Sequence, residues 1–231
     1  MKRRDFLLTT GIAASFTAMG YSNLPLTIPS VEQDSAEDES LIRVACAISK
    51  GTTNIDWVGP CAAFETWAYN EKLKKYQPRF KIYTVSETLE ERGGIVAAYT
   101  FENAPAPKII IVPAQQGSDE LIAWLKTNAL TAEVIMSVCV GAKHLAEAGL
   151  LDGKMATTHH ESISQFKDKF PKVNWVEGKR FIKVSGNIYT SGGLTAGIDL
   201  GLHIVEKYFG RVEALKVADH LEYESKSWMI G

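Results

Sequence analysis

Cys139 carries the clearest chemical potential in this chain. It follows the apolar run Val134-Ile135-Met136-Ser137-Val138 and precedes Val140-Gly141-Ala142, which places it on a turn from a strand into a helix. Backbone N–H groups at a helix start carry partial positive charge, which stabilises a thiolate and lowers its pKa. The same groups can hold an oxyanion formed when the thiolate attacks. Small residues at Gly141 and Ala142 let the turn be tight and the helix approach the sheet. On the local pattern alone a buried structural cysteine is an equal reading. The other cysteines are Cys46 and Cys61. A Cys46–Cys61 disulfide is one arrangement, but Cys46 falls inside an apolar strand and reads as core.

The remaining reactive side chains give weaker patterns. His159-His160-Glu161 has neither a His-x-x-x-His helix spacing nor a Cys-His cluster around it, so no metal site and no cofactor are expected. His203 and Glu206 lie three apart inside an amphipathic helix and read as structural. Gly192-Gly193 and Gly197 do not form a dinucleotide fingerprint after a first strand. Trp57, Trp67, Trp124, Trp175 and Trp228 read individually as core or rim.

The elements that must position Cys139 alternate. Strands are expected at Leu41–Ile48, Phe80–Val85, Lys108–Val112 and Val134–Val138, with short strands at Phe181–Val184 and Ile188–Thr190. Thr88–Phe101 reads as a hairpin around Arg92-Gly93-Gly94. Helical spacing runs over Pro60–Tyr69, from a Ser118 cap to Leu130, from Gly141, over Ser162–Phe170, over Leu194–Phe209 and over Val212–Leu221. Apolar strands alternating with helices imply a mostly parallel sheet covered on both faces. No repeat or internal linker follows residue 40, so residues 41–231 read as one domain, of a length that can bury a normal core.

The first residues point to export. Lys2-Arg3-Arg4-Asp5-Phe6-Leu7-Leu8 sets paired arginines before an apolar stretch to Tyr21, which reads residues 1–30 as a twin-arginine signal and the protein as periplasmic. The stretch falls short of the ~20 residues of a membrane span. With no clear cleavage site, an uncleaved signal anchor stays open as the single membrane attachment. Residues 31–40, rich in Glu and Asp, read as a disordered acidic tether. In an exported protein the odd cysteine count leaves at least one thiol unpaired. The chain has 231 residues and a net charge of −2 without any basic run in its folded part. No nucleic-acid partner is therefore expected.

Beyond these patterns, Ser137-Val138-Cys139-Val140-Gly141-Ala142, Ala146-Glu147-Ala148-Gly149-Leu150-Leu151-Asp152-Gly153-Lys154 and Ala156-Thr157-Thr158-His159 closely resemble the ThiJ/PfpI superfamily. Asp56-Trp57-Val58-Gly59-Pro60, Thr190-Ser191-Gly192-Gly193-Leu194-Thr195-Ala196-Gly197 and Leu221-Glu222-Tyr223 agree with it in order and spacing. The most similar branch is that of isonitrile hydratases and the amidotransferase-like domains of AraC-type regulators. The resemblance implies a single flavodoxin-like α/β sandwich, a homodimer, and Cys139 as nucleophile. It further implies that Asp56 lies beside the sulfur with a raised pKa, as acid and base. Gln115, Val140, Gly141, His159 and Trp57 would form the oxyanion and pocket positions.

Two departures mark this chain. Val140 stands where hydratases usually have threonine and the protease-like branch has histidine, which argues against a Cys-His pair and against peptidase activity. Pro113-Ala114-Gln115-Gln116-Gly117 replaces Pro-Gly-Gly-x-Gly, so the Gln115 side chain should crowd or polarise the pocket while its N–H faces an oxyanion. The sequence thus supports a cysteine-dependent hydratase or hydrolase of a small electrophilic molecule. Its alternatives are a ligand or redox sensor and a glyoxalase-type enzyme. A regulator would need an appended helix-turn-helix, which the eight residues after Tyr223 do not supply.

Overall fold

This computed structural model describes residues 41–65, 67–70, 75–90 and 95–229. The export signal and acidic tether read over 1–40 lie outside them. Among the described residues no helix is long and apolar enough to cross a membrane.

The continuous apolar runs form the middle of a sheet. Strands β1 (Ile42–Ala47), β4 (Phe80–Ser86), β5 (Tyr99–Thr100), β6 (Ile109–Val112), β7 (Val134–Ser137), β10 (Phe181–Ser185) and β11 (Ile188–Ser191) make one seven-stranded sheet in the order β10-β11-β7-β6-β1-β4-β5. Every pairing is parallel except β10 with β11, formed by the short strands expected at Phe181–Val184 and Ile188–Thr190. Two small ribbons, β2 (Trp67–Asn70) with β3 (Lys75–Pro78) and β8 (Met155–Ala156) with β9 (Asn174–Trp175), complete the strands. This is the mostly parallel, flavodoxin-like architecture that the sequence implies.

Residue alternation assigns the two faces. Val44 and Cys46 of β1 point into a core shared with α1 (Ile55–Phe64), α5 (Ala196–Phe209) and α6 (Arg211–His220). Ala45 and Ala47 point into the opposite core, with α2 (Asp119–Asn128), α3 (Ala142–Glu147) and α4 (Ile163–Lys169). All four residues of β6 and of β7 are buried, as strands covered on both faces require. Ser118 caps α2 through its Oγ, which accepts from Leu121 N at 3.1 Å. Such a cap contributes about 1 kcal/mol.

Two elements differ from their sequence reading. The helix expected over Pro60–Tyr69 is α1, which starts at Ile55 and ends at Phe64, with Trp67–Asn70 turned into strand β2. Pro60 suits a first helical turn, yet it sits inside α1, where it cannot donate to the Asp56 carbonyl four residues back. Phe64, Trp67 and Ala68 mimic helical spacing across the break. The Thr88–Phe101 hairpin is also replaced. The Arg92-Gly93-Gly94 turn lies outside the described residues; among the described ones only Tyr99–Thr100 is a strand, and it runs parallel to β4 with Val85 opposite Tyr99. Alternation with period two reports one buried face and is blind to strand direction. The 3-10 turns and the ribbons β8 and β9 are too short for any periodicity.

The chain direction reverses its spread across the sheet at β1. The connection after β1 leads to β4 on one side, and β6 then returns to the other. A crevice at the carboxyl ends of β1 and β6 follows from this switch point. The segments after β1, β6 and β7 carry Asp56, Ala114 and Cys139.

Candidate active site

The turn expected at Cys139 is strained. Cys139 adopts φ 57, a left-handed conformation that costs a non-glycine residue about 1–2 kcal/mol. Three hydrogen bonds hold it there. Cys139 N–H donates to Gly192 O at 2.9 Å, Thr158 Oγ1 donates to Cys139 O at 2.9 Å, and Gly141 N–H donates to Val138 O at 3.0 Å. Position 141 admits no side chain, because a Cβ there would stand 2.1 Å from Val112 O and 2.7 Å from Pro113 O. The sulfur is thus aimed by contacts with three neighbouring segments.

Asp56, in the first turn of α1, is fully buried. Its Oδ2 accepts from Ala114 N at 3.1 Å, while Oδ1 is buried without a well-formed hydrogen bond. The carboxyl interacts with the Cys139 thiol, the Leu194 N–H and His159. Leu194 is a second non-glycine residue in the left-handed region, at φ 54. Two strained residues therefore converge on one buried carboxyl, a pattern associated with functional sites.

Burial pushes the Asp56 pKa up, opposed by the N–H groups of Ala114 and Leu194, by His159 and by Cys139; the net direction is upward, as the family resemblance implies. The thiol departs from its reading. Burial and then repulsion by Asp56 push Cys139 up to about 11, against the pull of the Val140 and Leu194 N–H groups. The lowered pKa expected from a helix start does not arise. Cys139–Gly141 form only a 3-10 turn, and the following α3 spans six residues, too short for a strong dipole. At neutral pH the Cys139 thiol therefore keeps its proton.

The other candidates divide. Val140 lends its N–H to the sulfur, Gly141 closes the turn against β6, and His159 acts on Asp56. His159 packs its ring over Gly193 and stacks with His160 at 4.6 Å. The Gln115 side chain turns to the end of β1. Its Nε2 donates to Ala47 O at 2.9 Å and its Oε1 accepts from Thr52 Oγ1 at 2.9 Å. Trp57 packs against the α1–α5 core with Nε1 buried and without a hydrogen bond. His203 packs among Phe181 and Tyr189, at 4.9 and 6.0 Å.

Sequence reasoning missed three contributors. Leu194 supplies an N–H to both reactive groups, Thr158 fixes the Cys139 carbonyl, and Ala114 holds Asp56. Leu194 follows Gly192-Gly193, a signal of irregular backbone, whereas Thr158 and Ala114 act through contacts no local pattern announces. A cavity of about 450 Å³ adjoins the site, lined by Thr157–His160, Glu177–Arg180 and Gly192–Ala196. Another, of about 460 Å³, opens beside the β1–α1 loop from Ile48 to Asn54. Cys139, 8% exposed, lines neither. Among the described residues no three His, Cys, Asp or Glu side chains converge as metal ligands.

The chain is 35% identical to isonitrile hydratase from Pseudomonas putida over 130 residues, 54% of this chain and 55% of that protein. It is 31% identical to the HTH-type transcriptional regulator GbdR from Pseudomonas aeruginosa over 128 residues, 53% of this chain and 34% of the regulator. The matches thus span about half of one curated relative and a third of the other. Among solved structures, a ThiJ/PfpI family protein from Pseudomonas syringae superposes with a TM-score of 0.65 at 26% identity, covering 87% of this chain and 84% of that one. Residues 112–207, which include Cys139, His159 and Leu194, match the sequence model of the DJ-1/PfpI family. The fold, the motifs and these likenesses together establish that the chain carries a DJ-1/PfpI family domain.

Proposed function

We propose that the protein is a cysteine-dependent hydratase of a small electrophilic molecule, with Cys139 as nucleophile and Asp56 as proton carrier. The observation that carries this reading is a strained thiol against a fully buried carboxyl whose Oδ1 has no well-formed hydrogen bond. A buried carboxyl with a raised pKa is suited to take a proton from the thiol and return it. With an isonitrile as substrate, the thiol proton passes to Asp56 as sulfur attacks the terminal carbon. Asp56 then protonates that carbon, leaving a thioimidate on Cys139. Water adds across the carbon–nitrogen double bond, and collapse of the adduct expels the sulfur, which regains a proton. The product is an N-substituted formamide. The N–H groups of Val140 and Leu194 stabilise the sulfur while it is charged. Similarity to isonitrile hydratase supports this class. The periplasmic setting read from Arg3-Arg4 and a homodimeric assembly belong to the same proposal.

One observation favours a second reading, a ligand-binding module without turnover. A thiol held at about 11 is weakly nucleophilic at rest, and the chain is similar to HTH-type regulators as well as to an enzyme. A panel of isonitriles, nitriles and 2-oxoaldehydes, run with wild type and Cys139→Ser, separates the readings. Formamide formation that requires Cys139 supports the hydratase, and conversion of 2-oxoaldehydes alone supports a glyoxalase-type activity. Saturable binding with no Cys139-dependent product on any of them supports the module and overturns the hydratase.

A further inference from the structure

The chemistry at Cys139 leaves the other two cysteines unused, and they meet each other. Cys46 lies in β1 and Cys61 in the last turn of α1, with their sulfurs 3.4 Å apart and no disulfide between them. Cys46 is 0% and Cys61 2% exposed, so the contact is sealed inside the α1–α5 core. A disulfide needs its sulfurs about 2.05 Å apart. Closing the gap therefore asks for a movement of little more than an ångström, shared between strand and helix. The two sides differ in freedom. Cys46 is fixed in the sheet between β4 and β6. Cys61 follows Pro60, which has no N–H to anchor its turn, and the helix ends three residues later at Phe64. The end of α1 is the side that can move.

We infer that Cys46 and Cys61 form a latent disulfide site that covalently closes the β1–α1 segment, the segment that carries Asp56. The oxidant is a low-molecular-weight disulfide of the glutathione type. One cysteine, as thiolate, attacks it and releases one small thiol, leaving a mixed disulfide on the protein. The second cysteine then displaces the remaining small thiol and forms the Cys46–Cys61 bond. Two protein thiols are oxidised and one oxidant disulfide is reduced to two thiols. The hydrogen bond with Cys61, and then burial, hold the Cys46 thiol in its protonated form, so exchange is confined to folding or to an opened α1. The same burial then shields the finished bond from reductant.

The test uses full-length Cys139→Ser, in which only this pair of thiols remains, refolded in a mixture of oxidised and reduced glutathione. The expected result is no free thiol under denaturing conditions and a peptide linking Cys46 to Cys61 by mass spectrometry. The thermal midpoint should stand ~5–10 °C above that of the dithiothreitol-reduced protein, for a closed loop of this length. Two free thiols, glutathione adducts without the linked peptide, or a lowered midpoint would overturn the inference. The double variant Cys139→Ser with Cys61→Ala should show no oxidation-dependent rise, and an equal rise there would equally overturn it. Should either variant fail to fold, the wild-type peptide map after the same treatment decides by the presence or absence of the linked peptide.

Discussion

Replacing Asp56 by Asn should make Cys139 react faster with a simple alkylating agent while making the protein a worse catalyst. The first half follows from the electrostatics of the pair. With a pKa of about 11, Cys139 is a thiolate in only about one molecule in a thousand at pH 8, against about one in ten for a cysteine at the ordinary 9.0. Iodoacetamide should therefore modify the wild-type thiol about a hundred times more slowly than a free one. The rise from the ordinary 9.0 to about 11 corresponds to about 2.7 kcal/mol. Burial is the larger cause and repulsion by Asp56 the second, so removing the carboxylate should raise the thiolate population several-fold and leave most of the shift in place. Asparagine keeps the shape and can still accept from Ala114 N–H, so the fold should survive. Alkylation is followed by intact mass from pH 7 to 11 in both proteins, with far-ultraviolet circular dichroism to confirm the fold. A slower or unchanged rate in Asp56→Asn refutes the coupling, and a wild-type midpoint at or below ~8.5 refutes the raised thiol.

The raised thiol also sets a pH dependence of stability. The folded protein keeps a proton that the unfolded chain releases near pH 9, so this contribution is fully present below about 9 and is lost as pH rises through 11. By urea denaturation, wild type should lose about 2 kcal/mol more than Cys139→Ser between pH 8 and 10.5. Gly141→Ala should cost more than ~4 kcal/mol or abolish folding, because its Cβ would stand 2.1 Å from Val112 O; a cost below about 1 kcal/mol would contradict the geometry. Gln115→Ala should cost about 1–3 kcal/mol by removing the side-chain hydrogen bonds to Ala47 O and Thr52 Oγ1. It should leave the Cys139 alkylation rate unchanged, since the Gln115 side chain bonds to Ala47 and Thr52 and not to Asp56 or Cys139.

The sheet was legible because its signal is local. Ile109–Val112 and Val134–Ser137 are apolar at every position, and burial on both faces requires that. The turn at Cys139 was legible for a related reason: an apolar strand running into Val140-Gly141-Ala142 has few folded solutions. The thiol's electrostatics were not legible. Motif position brings a sulfur and a carboxyl together, but whether N–H groups or burial prevail depends on how thoroughly Asp56 and Cys139 are enclosed. Gln115 failed for another reason. Its amide reaches back to Ala47 and Thr52, partners far away in sequence, and no local pattern says which way a loop side chain turns. Leu194 contributes through its backbone, which side-chain identity does not report.

The central claim, that Cys139 reacts through a proton handed to Asp56, is tested most directly by formamide formation from an alkyl isonitrile. The formyl proton signal can be followed by nuclear magnetic resonance in wild type, Cys139→Ser and Asp56→Asn. Wild type should accumulate the formamide and Cys139→Ser none. Asp56→Asn should be slower by at least ~100-fold despite its faster alkylation. Formamide formation by Cys139→Ser at the wild-type rate, or by Asp56→Asn without loss, would contradict the account.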